Sequence, residues 1–253
     1  MKPDRANQMY WIGGLALLSA SLFLFVPPIP QSEAYHLFAD GRTIFGIPNF
    51  WNVASNLPFA AVGLLGLWKL HGTVNRVLFA GVFLTCFGSS YYHWAPDDAR
   101  LVWDRLPMTV VFMSFLTSIV VHDSPTRATV RTLALLVACG VSSVVWWIAA
   151  NDLRPYLLVQ FIPMLVVIPS LRRAPGRTML LAVMALYTLA KLSELCDQGV
   201  YSVLSISGHT CKHLLAALAA YYMYRWQLRA DSRAASEASA SVNVGDTLRA
   251  VSN

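Results

Sequence analysis

Apolar residues in this chain neither alternate nor scatter. They fall into eight long runs, at 10–27, 52–70, 78–95, 106–121, 132–150, 156–171, 178–195 and 209–227. A helix needs about 20 apolar residues to cross the hydrocarbon core of a bilayer, and most of these runs approach that length. The shorter ones suggest ends lined by protein or water rather than lipid. Membrane barrels alternate with a two-residue period, and these runs do not. The pattern therefore predicts an all-α integral membrane protein: a core of seven transmembrane helices plus one extra N-terminal helix.

The ends of the chain read differently. Lys2 and Arg5 precede the first run, as in a signal peptide. Pro27, Pro28 and Pro30 then follow with no small-x-small cleavage pattern, so a retained helix is expected. From about Ala230 the chain turns to Ala, Ser, Asp and Arg without an aromatic residue, which predicts a disordered cytoplasmic tail. The expected organisation is 1–30 as tail and additional helix, 31–229 as the membrane core, and 230–253 as the tail.

Composition agrees with the run pattern. Hydrophobic residues make up 56% of the chain and charged residues 13%, where a soluble domain carries about 25% charged residues. A disordered chain, a collagen-like repeat and a disulfide-stapled mini-protein are excluded on the same grounds. Cys86, Cys139, Cys196 and Cys211 are too few and too scattered for a disulfide framework, although Cys196 and Cys211 flank one loop and could pair.

The net charge of +6 would suggest nucleic acid in a soluble protein, but the cations sit between the apolar runs. With the N-terminus on one side, called Y, that side collects Lys2, Arg5, Lys69, Arg76, Arg127, Arg131, Arg172, Arg173, Arg177, Arg225, Arg229, Arg233 and Arg249. The opposite side X holds only Arg42, Arg100, Arg105 and Arg154. The positive-inside rule makes Y the cytoplasm. A multi-pass protein of a bacterial inner membrane with side X periplasmic is expected, with membrane and lipid as partners and no nucleic acid.

Polar residues within the runs are the candidates for chemistry, because they are costly in a membrane. They gather on side X: Ser89 and His93 at the end of the third run, Asp104 at the start of the fourth, Lys191, Glu194 and Asp197 ending the seventh, His209 and His213 opening the eighth. His71 and His122 lie on side Y and read as loop residues. His209 and His213, four apart on a helix, share a face and can chelate one ion. His93 would complete three nitrogens, the open pattern of catalytic zinc with water in the fourth position. Zinc brings the pKa of that water to about 7. Asp104 is the candidate base, and Ser89, one turn before His93, the candidate oxyanion donor.

Each residue also has a plain reading. Asp104 could pair with Arg100 or Arg105, or cap a helix starting at Leu106-Pro107. Ser89 could be a small packing residue. Lys191 could pair with Glu194 or Asp197. Lys212 points away from the zinc face by helical phase, and could snorkel or pair with a carboxylate.

Three stretches carry a family likeness: Gly88-Ser89-Ser90-Tyr91-Tyr92-His93, Trp103-Asp104-Arg105-Leu106-Pro107-Met108 and Gly208-His209-Thr210-Cys211-Lys212-His213. They resemble the alkaline ceramidase family, whose superfamily of membrane hydrolases includes the adiponectin receptors. The stretch from Phe50 to Phe59 is similar to that family's first core helix, and the resemblance covers about 40–228. It implies zinc on His93, His209 and His213, water activation by Asp104, oxyanion assistance by Ser89, and hydrolysis of the amide of ceramide or a related N-acyl lipid. The family's calcium site is not matched: Asp40 and Asn49 supply too few oxygens for an ion that wants six to eight. Two other readings stay open at this point, a receptor-like sensor with a structural zinc and a channel or transporter. The nearly apolar Y half of the runs counts against a channel.

Overall fold

The structure is a computed structural model that describes residues 14, 17, 19–120, 126–171 and 176–251, with backbone alone for 126–128 and 233–251. The apolar runs fold as helices. We number them α1 (Phe50–Ala54), α2 (Leu57–Lys69), α3 (Thr73–Trp94), α4 (Asp98–Val120), α5 (Thr126–Ala150), α6 (Arg154–Ser170), α7 (Arg177–Leu195), α8 (Asp197–Leu204) and α9 (Gly208–Val251). Residues 19–25 are also helical, and Glu33–His36 form one 3-10 turn. Among the described residues there is no strand, only a single bridge between Ile44 and Ile47.

Three stretches are both long and apolar enough to cross a membrane: Phe50–Lys69, Thr129–Ala150 and Arg177–Leu195. Arg154–Ser170 is apolar but shorter. α3 and α4 are longer, at 22 and 23 residues, but each carries the polar side chains of the site described below. Leu84, Phe87, Leu135, Ile148, Leu181 and Leu218 all point outward. So continuous an exposed apolar surface is what a lipid-facing helix bundle presents, and what a monomeric soluble protein avoids.

The fourth run starts earlier than its apolar residues indicate. α4 begins at Asp98 rather than near Leu106, because Asp97 caps it: its Oδ1 accepts the backbone N–H of Arg100 at 2.7 Å. Asp104 is therefore an interior helical residue and not a cap. Pro107 lies within the helix. Having no N–H, it cannot bond the carbonyl of Trp103 four residues back.

α3 packs against that interruption through glycine. A Cβ at Gly88 would meet the Trp103 oxygen at 2.0 Å, and one at Gly81 would meet the Pro107 oxygen at 3.3 Å. Seven residues apart, the two glycines lie on one face of α3 and let the backbones approach closely. This contact sets Ser89 beside Asp104.

At the other end of the chain α9 continues unbroken to Val251, across the point where a disordered tail is expected. The absence of aromatic residues removes packing partners but not helix propensity. The stretch is rich in Ala and has no Pro, which favours helix. His122 lies outside the described residues.

The segment after the N-terminal helix is pinned to the α5–α6 connection. Ile29 N–H donates to Asp152 Oδ1 (3.3 Å), Leu153 N–H to the Ile29 carbonyl (2.8 Å), and Arg154 Nη1 to the Val26 carbonyl (2.6 Å). Asp152 and Arg154 are buried and paired at 2.8 Å. The Arg154 side-chain bonds hold the Asp152 carboxyl well below the usual carboxylate range. A depressed native pKa gives stability that is present above the unfolded value of about 3.9 and is lost as pH falls through the native one. Asp152→Asn should remove that acid dependence and, by leaving Arg154 buried without its partner, cost about 3 kcal/mol. Unfolding midpoints of the two proteins between pH 7 and 3 check this. Superimposable profiles would refute it.

Candidate metal centre

The metal candidates come from two helices whose ends are fixed by polar contacts. α9 starts where Ser207 Oγ accepts Thr210 N–H (3.0 Å), a helix N-cap. Asp197 Oδ1 accepts His209 N–H at 2.9 Å. Asn52 of α1 clamps the same turn, its Oδ1 accepting from Ser207 Oγ (2.8 Å) and Thr210 Oγ1 (2.7 Å). Asp197 is thus a framework residue. It also accepts Ala39 N–H at 2.8 Å.

So anchored, α9 presents His209 and His213 on one face, with ring centroids 4.9 Å apart. His93 of α3 lies 4.8 Å from each of them. One ligand atom from each of the three residues falls within 4.8 Å of the others, and all three side chains are buried. This is the cluster expected from the spacing of the sequence.

The donor set fits a metal ion on two further observations. Both ring nitrogens of His93 are buried without a hydrogen-bond partner, an arrangement that is unfavourable unless something else binds there. His213 is oriented from behind. Ser55 Oγ donates to the Asn52 carbonyl (3.2 Å) and so accepts from His213 Nδ1 (2.8 Å). That tautomer leaves Nε2 as the lone pair, in the manner of outer-shell partners of metal-bound histidine. Imidazole donors suit zinc, copper, iron and nickel.

Ser89 and Asp104, the other expected site residues, are buried together. The Ser89 hydroxyl faces the Asp104 carboxylate. Both line a cavity with His213 and Lys212 at its polar end. Phe59, Val82, Met108, Val111, Phe112 and Met223 are among its apolar walls. The cavity holds about 650 Å³ of empty space, part of it open to the outside.

Lys212 does not follow its helical phase. Its stem carries Nζ to Glu194 Oε1 (2.6 Å) and to within 3.4 Å of His209 Nε2. Lys191 also donates to Glu194, and Tyr35 donates its hydroxyl to the same carboxylate at 3.1 Å. Arg105 turns away from Asp104, donating to Gln31 Oε1 (2.6 Å) and stacking on Trp147 and Tyr156.

The segment before α1 covers the cluster. Phe38 packs on His93 and His209, with centroids 4.7 and 4.6 Å away. The segment is held by His36 to Tyr92 (2.9 Å), Arg42 to the Ser205 carbonyl (2.6 Å) and Asn49 to the His93 carbonyl (2.9 Å). Arg42 occupies both oxygens of Asp40, at 2.8 and 2.7 Å, and holds its carboxyl below the usual range. Cys196 and Cys211 are free thiols, and His71 lies exposed after α2.

The residues missing from the expected site are Asn52, Ser55 and Phe38. Asn52, Ser55 and Asn56 carry a readable signal, three polar residues at i, i+3 and i+4 in an apolar run. Phe38 carries none, since its segment has no period. Compared with known proteins, the chain matches no family model and no curated protein.

Proposed function

We propose that the protein is a zinc-dependent intramembrane hydrolase that cleaves the amide of an N-acyl lipid, ceramide or a relative, to a free amine and a fatty acid. The observation that carries this reading is the buried three-histidine cluster, whose His213 lines an otherwise apolar cavity together with Asp104. His93, His209 and His213 would hold the ion. Bound there, zinc would act as a Lewis acid and favour ionisation of water at neutral pH. Three ligands leave a position open, whereas a structural zinc takes four. The cluster among the described residues consists of the three histidines alone.

The chain's own residues divide the work. Asp104 accepts the proton of the attacking water and returns it to the leaving nitrogen, and Ser89 beside it assists the oxyanion. Ser55 and Asn52 keep His213 turned inward. Phe38 and its segment limit water from side X, and the apolar walls receive the acyl chain. We read the chain as seven spans plus the N-terminal helix, with the metal centre at the periplasmic end. Exposed Trp51, Tyr91, Trp94 and Trp103 near that end support the placement, since Trp and Tyr gather at membrane interfaces.

The test is zinc per chain in detergent-purified protein, followed by hydrolysis of N-acyl lipids. One zinc in the wild type and none in His209→Ala, with amide cleavage only in the former, is the expected result. A folded wild-type protein without zinc would end this reading.

A further inference from the structure

Two lysines share one carboxylate beside the histidine cluster. Glu194 accepts from both Lys191 and Lys212, so one ammonium charge is left over. Across the cavity Asp104 is followed by Arg105, which is itself buried. At this end Lys191, Lys212 and Arg105 meet Glu194, Asp104 and Asp197, and a metal cation would add positive charge. Buried charge without a counter-charge is strongly unfavourable. With a metal cation beside Lys212, an entering anion is favoured.

Lys212 is the cation placed to meet it. It lines the cavity, while Arg105 is turned to Gln31 and its aromatic neighbours. Its Nζ lies 3.4 Å from His209 Nε2, so a group seated at the cluster is within its reach. Glu194 takes one of the three N–H donors of the ammonium. Ser89 offers the oxyanion a neutral donor, and Lys212 a charged one. The apolar walls require the anion to carry a hydrocarbon chain.

We propose that the Lys212 ammonium is the anion-receiving group of the cavity, donating first to the oxyanion of the lipid amide and then to the fatty-acid carboxylate that results. The inference rests on the amide-hydrolase reading for its first half. Water adds its oxygen to the carbonyl carbon, the carbonyl pair moves onto oxygen to form the anion that Lys212 meets, and the water proton passes to Asp104. The carbon–nitrogen bond then breaks, nitrogen takes the proton from Asp104, and a free amine and a carboxylic acid result. Transfer of the acid proton to the amine leaves a carboxylate on Lys212. Such preorganised donors act where charge develops in the transition state.

Binding of palmitate and of hexadecanol to the full-length protein, with zinc and after chelation, separates the possibilities. A hydrogen bond to a charged group gives at least about tenfold in affinity, so the wild type should prefer palmitate by that factor in both states. Lys212→Met should erase the preference and Lys212→Arg should keep it. The double variant Lys212→Met/Glu194→Gln removes both charges together, so that loss of preference in a protein of wild-type thermal stability is not misfolding. A preference that survives Lys212→Met, or one that vanishes on chelation alone, overturns the assignment. If no amide is cleaved but the preference exists and depends on Lys212, the anion site stands and the amide reading falls. If amides are cleaved and palmitate is not preferred, the reverse holds.

Discussion

Replacing Asp104 with asparagine is expected to lower lipid-amide turnover by about 10²–10⁴-fold, the contribution typical of a general acid–base group, with zinc content unchanged. The substitution is isosteric. The amide oxygen can still accept the Ser89 hydroxyl, and the three histidines are untouched. What is lost is the capacity to take a proton from water and give it to nitrogen. Asp104 is the carboxylate on the described cavity wall, and Glu194 is already held by two lysines and Tyr35. No neighbour is therefore free to substitute. Because the acyl pocket is intact, the loss should appear in kcat with KM little changed. Full turnover by Asp104→Asn would remove the base assignment, and loss of zinc would recast Asp104 as part of the metal shell.

Gly88→Ala should be as damaging by a different route. The new methyl would sit 2.0 Å from the Trp103 carbonyl oxygen and 2.8 Å from its carbon. Backbone cannot swing aside as a flexible side chain can, so α3 must retreat from α4. Overpacking of this kind costs about 1–3 kcal/mol and sometimes more. Its functional effect exceeds that cost, because α3 carries Ser89 and His93 while α4 carries Asp104. A displacement of about 1 Å can lower a rate by roughly 10²-fold. The expected outcome is a lowered unfolding midpoint with turnover reduced at least to that extent. Gly199→Ala is the control. Nothing lies within 4 Å of a Cβ there, the residue is helical, and stability should hold or rise by about 0.4–1 kcal/mol. Equal behaviour of the two variants would mean that the close contact of α3 and α4 is not what places the site.

Helix content and the metal cluster were legible from the chain for a common reason. Both depend on short periods that survive without knowledge of neighbours. Runs of apolar residues give helices wherever water is excluded, and the four-residue spacing of His209 and His213 puts both rings on one face before any partner is known. Placing His93 with them needed only that all three lie toward one end of their helices. The break at Ser55 and Asn56 was visible as polar residues in an apolar run. Its use, orienting His213, was not, because α9 lies more than 150 residues away in sequence.

Where long side chains end, and what each polar group bonds, belonged to packing. Lys212 leaves its own helical face because Glu194 of α7 attracts it. Ser89 meets Asp104 because Gly88 and Pro107 let two backbones touch. Asp104 lies in a helix interior because Asp97 caps α4 well before the apolar residues resume at Leu106. Phe38 covers the histidines from a segment with no periodicity at all. Local pattern fixes which residues are helical and which faces are apolar, since those follow from backbone geometry and solvent. The protonation partners and the cover of the site are contacts between elements remote in sequence, and their energies exist only once those elements are brought together.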